Sequence, residues 1–70
     1  MKLSARNTLR GKVVSVTEGS VNAEVALEIA PGVEVVSVIT LASVESLGLE
    51  VGKDAYAVIK ASNVMVAVDD

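Results

Sequence analysis

The chain has 70 residues, of which 51% are apolar and 21% charged, with one aromatic ring and no cysteine or histidine. That length sets a single domain, residues 1–70, and the missing Cys and His exclude disulfide staples, the commonest structural zinc sites and the usual nucleophilic triads. Six basic and nine acidic residues give a net charge of −3, the wrong sign for a general nucleic-acid binder.

Met1-Lys2-Leu3-Ser4 opens no apolar leader core, and no apolar run approaches the roughly eighteen residues of a membrane span. The expectation is a cytoplasmic protein with no membrane or nucleic-acid partner, no cofactor and no enzymatic activity. A domain of this size buries only about 60% of its unfolded surface and is marginal as a lone chain. Small domains otherwise draw on disulfides, metals or association. Without thiols, association is the route left open.

Fifteen of the residues are Val and three are Ile, a β-branched composition that favours strands. Leu9 to Thr17 reads as a first strand, and Glu18-Gly19 as the turn after it. From Ser20 to Ile29 the period is two. Val21, Ala23, Val25, Leu27 and Ile29 share one face, while Ser20, Asn22, Glu24 and Glu28 share the other, as in a half-buried antiparallel strand. Pro31-Gly32 supplies a turn, Pro by presetting φ and Gly by permitting a positive φ. Val33 to Thr40 follows as a third strand, apolar on both faces, which predicts cover on both sides.

Thr40 to Gly48 suits a short helix, with Thr40 or Ser43 as N-cap and Gly48 as the stop. Asp54 to Lys60 reads as a fourth strand, Ala61-Ser62-Asn63 as a turn, and Val64 to Val68 as a fifth strand. Five strands with one helical turn between the third and fourth match an all-β, OB-like Greek-key barrel. The strands carry more apolar faces than one small barrel covers, and the surplus is expected at a subunit interface.

Three polar segments are not explained by strand propensity. Ser4-Ala5-Arg6-Asn7 flanks a cation with hydrogen-bonding side chains. Thr40 to Ser43 opens a helical turn, whose N–H groups favour an anion. Ile59-Lys60-Ala61-Ser62-Asn63 sets a second cation at a strand end. Converging cations and hydroxyls without metal ligands are what a tetrahedral oxyanion requires. Each also has a plainer reading: a helix cap, a solvated Arg, and a Lys that discourages edge pairing.

The ordered set Ser4-Ala5-Arg6-Asn7, Gly11, Gly19-Ser20-Val21-Asn22-Ala23-Glu24-Val25, Ile39-Thr40, Ser43, Leu47-Gly48-Leu49, Gly52, Ile59-Lys60-Ala61 and Val64 resembles the molbindin (Mop) family. The resemblance runs from about Lys2 to Val68. The same TOBE/Mop-type module recurs in molybdate-responsive transcription regulators and molybdate transporter ATPases. The resemblance implies an OB-like barrel assembled as a hexamer, a trimer of dimers, with molybdate or tungstate bound between subunits. Carried over residue by residue, it implies a principal site of Ser4, Arg6, Ser43, Lys60 and the backbone of Ala61. Val21, Asn22 and Ala23 are the implied contributors to a second site near the threefold axis. It implies a protein for intracellular molybdenum storage or homeostasis.

Two other readings compete. A ligand-free assembly module would explain the valines but not the placement of Arg6, Lys60 and Ser43. A nucleic-acid-binding OB-like barrel would stack bases on aromatic rings over a positive groove, whereas Tyr56 is the only aromatic residue here.

Overall fold

Period-two patterning sets the sheet. A computed structural model describing residues 1–70 has strands β1 (Asn7–Glu18), β2 (Asn22–Ala30), β3 (Val33–Thr40) and β4 (Asp54–Ile59), with helix α1 (Leu41–Leu47) between β3 and β4. All neighbours pair antiparallel in the order β3-β2-β1-β4. On β2 the alternation is realised as read: Ala23, Val25 and Leu27 are buried, and Glu24 and Glu28 point to solvent.

β1 begins at Asn7, two residues before its apolar pattern starts, because the ladder to β4 extends to Asn7 opposite Ile59. Its two halves serve different neighbours. Asn7 to Lys12 pairs with β4, and Lys12 to Glu18 pairs with β2. Gly11 permits the bend between them, since a Cβ there would lie 2.7 Å from the Glu28 carbonyl oxygen. An extra residue at Val14 shifts the register against β2, a bulge that adds local bend and twist.

Thr40 is the N-cap of α1. Its backbone is extended (φ −72°, ψ 155°) and its side chain accepts the Ser43 N–H, so of the two expected caps Thr40 takes the role. Gly48 ends the helix at φ 62°, a left-handed conformation that glycine adopts without strain. The Lys53 ammonium donates to the carbonyls of Leu47 and Gly48, satisfying acceptors that a helix C-terminus leaves open.

Two expectations need correction. Val64 to Val68 is not a strand: a single 3-10 turn, Ala61–Asn63, follows β4, and the residues beyond it have no ladder partner in the chain. Its alternation is that of a strand, but strand structure needs a neighbour with free N–H and C=O groups, and none lies alongside. The result is a four-stranded curled sheet, not a closed five-stranded barrel. β3 is likewise not covered on both sides. Val35 and Ile39 pack against the core, while Val36 and Val38 stand 55% and 66% exposed.

The core is correspondingly small. Val13, Ala23, Val25, Leu27, Val44 and Ala57 form its buried cluster. The accessible surface is 5474 Å², against about 4,100 Å² expected for a folded monomer of this mass. The radius of gyration is 13.0 Å, against about 11 Å for a compact domain of this length. The isolated chain leaves apolar surface uncovered.

Candidate functional site

The β1–β4 ladder decides which polar residues meet. Asn7 lies opposite Ile59 at the end of the ladder, and Arg6 and Lys60 are the next residues outward from the two strands, two cations at one end of the ladder. Asn7 fixes that end: its side-chain amide donates to the Ile59 carbonyl at 3.2 Å. The sequence shows Asn7 beside Arg6, but its positioning role depends on a contact across 52 residues. Ser4 and Ala61 flank the two cations in the chain, and Ser4, Arg6, Lys60 and Ala61 are all solvent-exposed.

The other cations of the sheet are already engaged. Arg10 and Lys12 both reach the Asp54 carboxylate, at 3.3 and 3.2 Å. The Lys12 hydrogen bond and charge, followed by those of Arg10, hold the Asp54 carboxyl below its ordinary value of 3.8. Lys53 is spent on the end of α1. Arg6 and Lys60 have no carboxylate within 4.0 Å. Positive charge at the Arg6–Lys60 end is therefore not neutralised by the chain itself.

Ser43 is elsewhere. Glu18, at the far end of β1, pairs with Ala23, which pairs with Ile39 at the end of β3. Thr40, α1 and Ser43 follow directly. Arg6 and Ser43 therefore mark opposite ends of the 12-residue β1, a span of roughly 40 Å if straight at about 3.3 Å per residue. No hydrogen bond or ion pair within the chain joins the Thr40–Ser43 turn to the Arg6–Lys60 end.

The Thr40–Ser43 turn has few free donors. The Leu41 N–H goes to the Val21 carbonyl at 2.9 Å, and the Ser43 N–H to Thr40 Oγ1 at 3.1 Å. Thr40 Oγ1 donates onward to Ser43 Oγ at 2.9 Å. Ser43 Oγ is the acceptor in that bond, which leaves its own proton free for an outside oxygen. The chain thus offers one side-chain donor here more clearly than a helix-terminus amide set.

The second group, Val21, Asn22 and Ala23, lies against this same turn. Asn22 pairs with Thr40 and is exposed, and Val21 carries the carbonyl that receives Leu41. Ala23 is 2% exposed and sits in the core, so only its backbone could face a ligand. No three His, Cys, Asp or Glu side chains group to hold a metal cation.

A protein-family model for the TOBE domain matches residues 3–66. The chain is 58% identical over 69 residues to a probable molybdenum-pterin-binding protein of Haemophilus influenzae, covering 99% of this chain and 100% of that one. Among solved structures, MopII from Clostridium pasteurianum in an apo form is similar with a TM-score of 0.88 and 49% identity, over 96% of this chain and 100% of that one. The cytoplasmic molybdate-binding protein ModG, with molybdate bound, matches with a TM-score of 0.89 and 51% identity, over 93% of this chain and 46% of that one. Nearly the whole chain is matched in each case, and the four-stranded curled sheet described above is thereby an OB-like fold of the Mop type. The chain belongs to the TOBE-domain family, among its molbindin (Mop) members.

Proposed function

We propose that this protein binds molybdate, and tungstate, as tetrahedral dianions at sites formed between copies of the chain. Arg6 and Lys60 of one copy supply the charge, with Ser4 and the Ala61 backbone beside them. Ser43 of another copy donates its hydroxyl to an oxygen of the ion. No bond is made or broken; the ion is held by charge-assisted hydrogen bonds and released unchanged. The assembly is a homohexamer, a trimer of dimers, in the cytoplasm, serving molybdenum storage or homeostasis. A second kind of site uses the backbone around Val21, Asn22 and Ala23.

The observation that carries this reading is the placement of Arg6 and Lys60 at one end of the β1–β4 ladder, free of carboxylates while the neighbouring cations are neutralised. The separation of Ser43 from that pair supports a site shared between chains. The molybdate bound by the 51% identical relative supports the choice of ion. At a net charge of −3, long-range attraction opposes a dianion, so local donors must dominate. Sulfate is rejected by size, because the smaller ion leaves donors unpaired at about 1–3 kcal/mol each.

The test is an equilibrium titration with molybdate, with sulfate as competitor and the mass of the assembly measured in parallel. Saturable binding that excess sulfate does not displace supports the reading. Sulfate binding equal to molybdate, or no binding by a correctly assembled protein, refutes it.

A further inference from the structure

Selection by size works only if the donors hold still. Two cations free to close on a smaller ion would satisfy sulfate as well as molybdate. β1 begins at Asn7 and β4 ends at Ile59, so Arg6 and Lys60 each lie one residue beyond the last rung of the ladder. Past that rung, no hydrogen bond or ion pair joins residues 1–6 to residues 60–70. Both cations are on long, exposed side chains, and the backbone beneath them is the only part the fold can fix.

Asn7 supplies the side-chain tether at this end. It is half-buried, and its Nδ2 donates to the Ile59 carbonyl at 3.2 Å. That bond ties the neighbour of Arg6 to the neighbour of Lys60. Its chemistry differs from that of the other cross-strand contacts on this ladder, where the Asp54 carboxylate holds Arg10 and Lys12. An ion pair at the Arg6–Lys60 end would also hold the strands, but it would neutralise the charge an anion needs. An amide restrains the end and leaves both charges free.

We propose that Asn7 is a positioning residue for anion selectivity. Its bond to Ile59 holds the spacing of Arg6 and Lys60, so that an ion smaller than molybdate leaves donors unpaired. Asn7 itself touches no anion. This role rests on the molybdate reading above.

Asn7→Val keeps a strand-forming side chain and removes the donor. Titrations of the assembled variant with molybdate and with sulfate give the two affinities, and a melt without anion gives the stability. Molybdate affinity should fall about 2- to 10-fold, the range of one lost hydrogen bond. Sulfate affinity should hold or rise, so the preference for molybdate narrows by at least that factor. A preference equal to that of wild type, whether both affinities hold or both fall together, overturns the proposal. Should Asn7→Val disturb assembly, Asn7→Leu, close to asparagine in shape, removes the same donor. Failure of both variants to assemble would make Asn7 a folding residue and overturn the proposal too. A wild-type protein with no preference for molybdate over sulfate would instead overturn the molybdate reading, and the role of Asn7 with it.

Discussion

Ser43 stands at the third position of α1 and its neighbour Thr40 is the cap, which makes Ser43→Ala a clean probe of ligand contact. The capping bond from the Ser43 N–H to Thr40 Oγ1 uses the backbone and survives the change. What disappears in the free protein is the exposed Thr40-to-Ser43 hydroxyl bond of 2.9 Å, worth about 0.5 kcal/mol. Alanine recovers about the same through its higher helix propensity. The melting temperature without anion should therefore move by no more than about 3 °C, at roughly 4–8 °C per kcal/mol for a domain of this size. A hydroxyl donating to an ionised oxygen contributes about 1.5–3 kcal/mol, so molybdate affinity should fall about 10- to 150-fold. Calorimetric titration of the assembled variant gives the affinity, and a melt without anion gives the stability. Unchanged affinity in S43A would refute Ser43 as a ligand. Thr40→Ala is the contrast: it removes the cap, costing about 1 kcal/mol of stability.

Arg6→Ala and Lys60→Ala should each weaken molybdate by about 2–5 kcal/mol while leaving the circular dichroism spectrum unchanged, because each removes a charged partner from a shared site; wild-type affinity in both would move the site elsewhere. Gly11→Ala should destabilise the fold by about 1–3 kcal/mol, read by denaturant unfolding, since its Cβ meets the Glu28 carbonyl at 2.7 Å where two backbones must part. Asp54 has its carboxyl held low in the folded state by Lys12 and then Arg10, so its contribution is complete above its ordinary value of 3.8 and is lost as pH falls through the lowered one. Melting curves should show the gap between wild type and Asp54→Asn narrowing below that value, and a gap that widens on acidification would contradict the ion pairs.

The parts of the fold legible in the sequence were those fixed by local chemistry. The β2 alternation identified the buried face of Ala23, Val25 and Leu27, and Gly48 marked the helix stop through its left-handed backbone. What failed depended on neighbours. Val64 to Val68 has strand periodicity, but periodicity records a face and not the presence of a partner. Val36 and Val38 predict a cover that the chain does not supply for the same reason: apolar side chains announce a covering surface without saying that it belongs to the same chain. The family pattern named Arg6, Lys60 and Ser43 together. Only the register, with Asn7 opposite Ile59, joins the first two and separates the third. Thr40 and Ser43 were indistinguishable as caps until the backbone angles assigned the role.

If the site is built as proposed, the bent β1 strand sets its stoichiometry. It holds the cationic group at its beginning, while the hydroxyl donor lies beyond its end, so every chain owns one half of each kind. A complete site of the proposed type consumes one half of each. An assembly of any size then holds as many such sites as it has chains, with none left over, and each chain is a strut between two bound ions. Saturation of this class of site falls at one anion per chain.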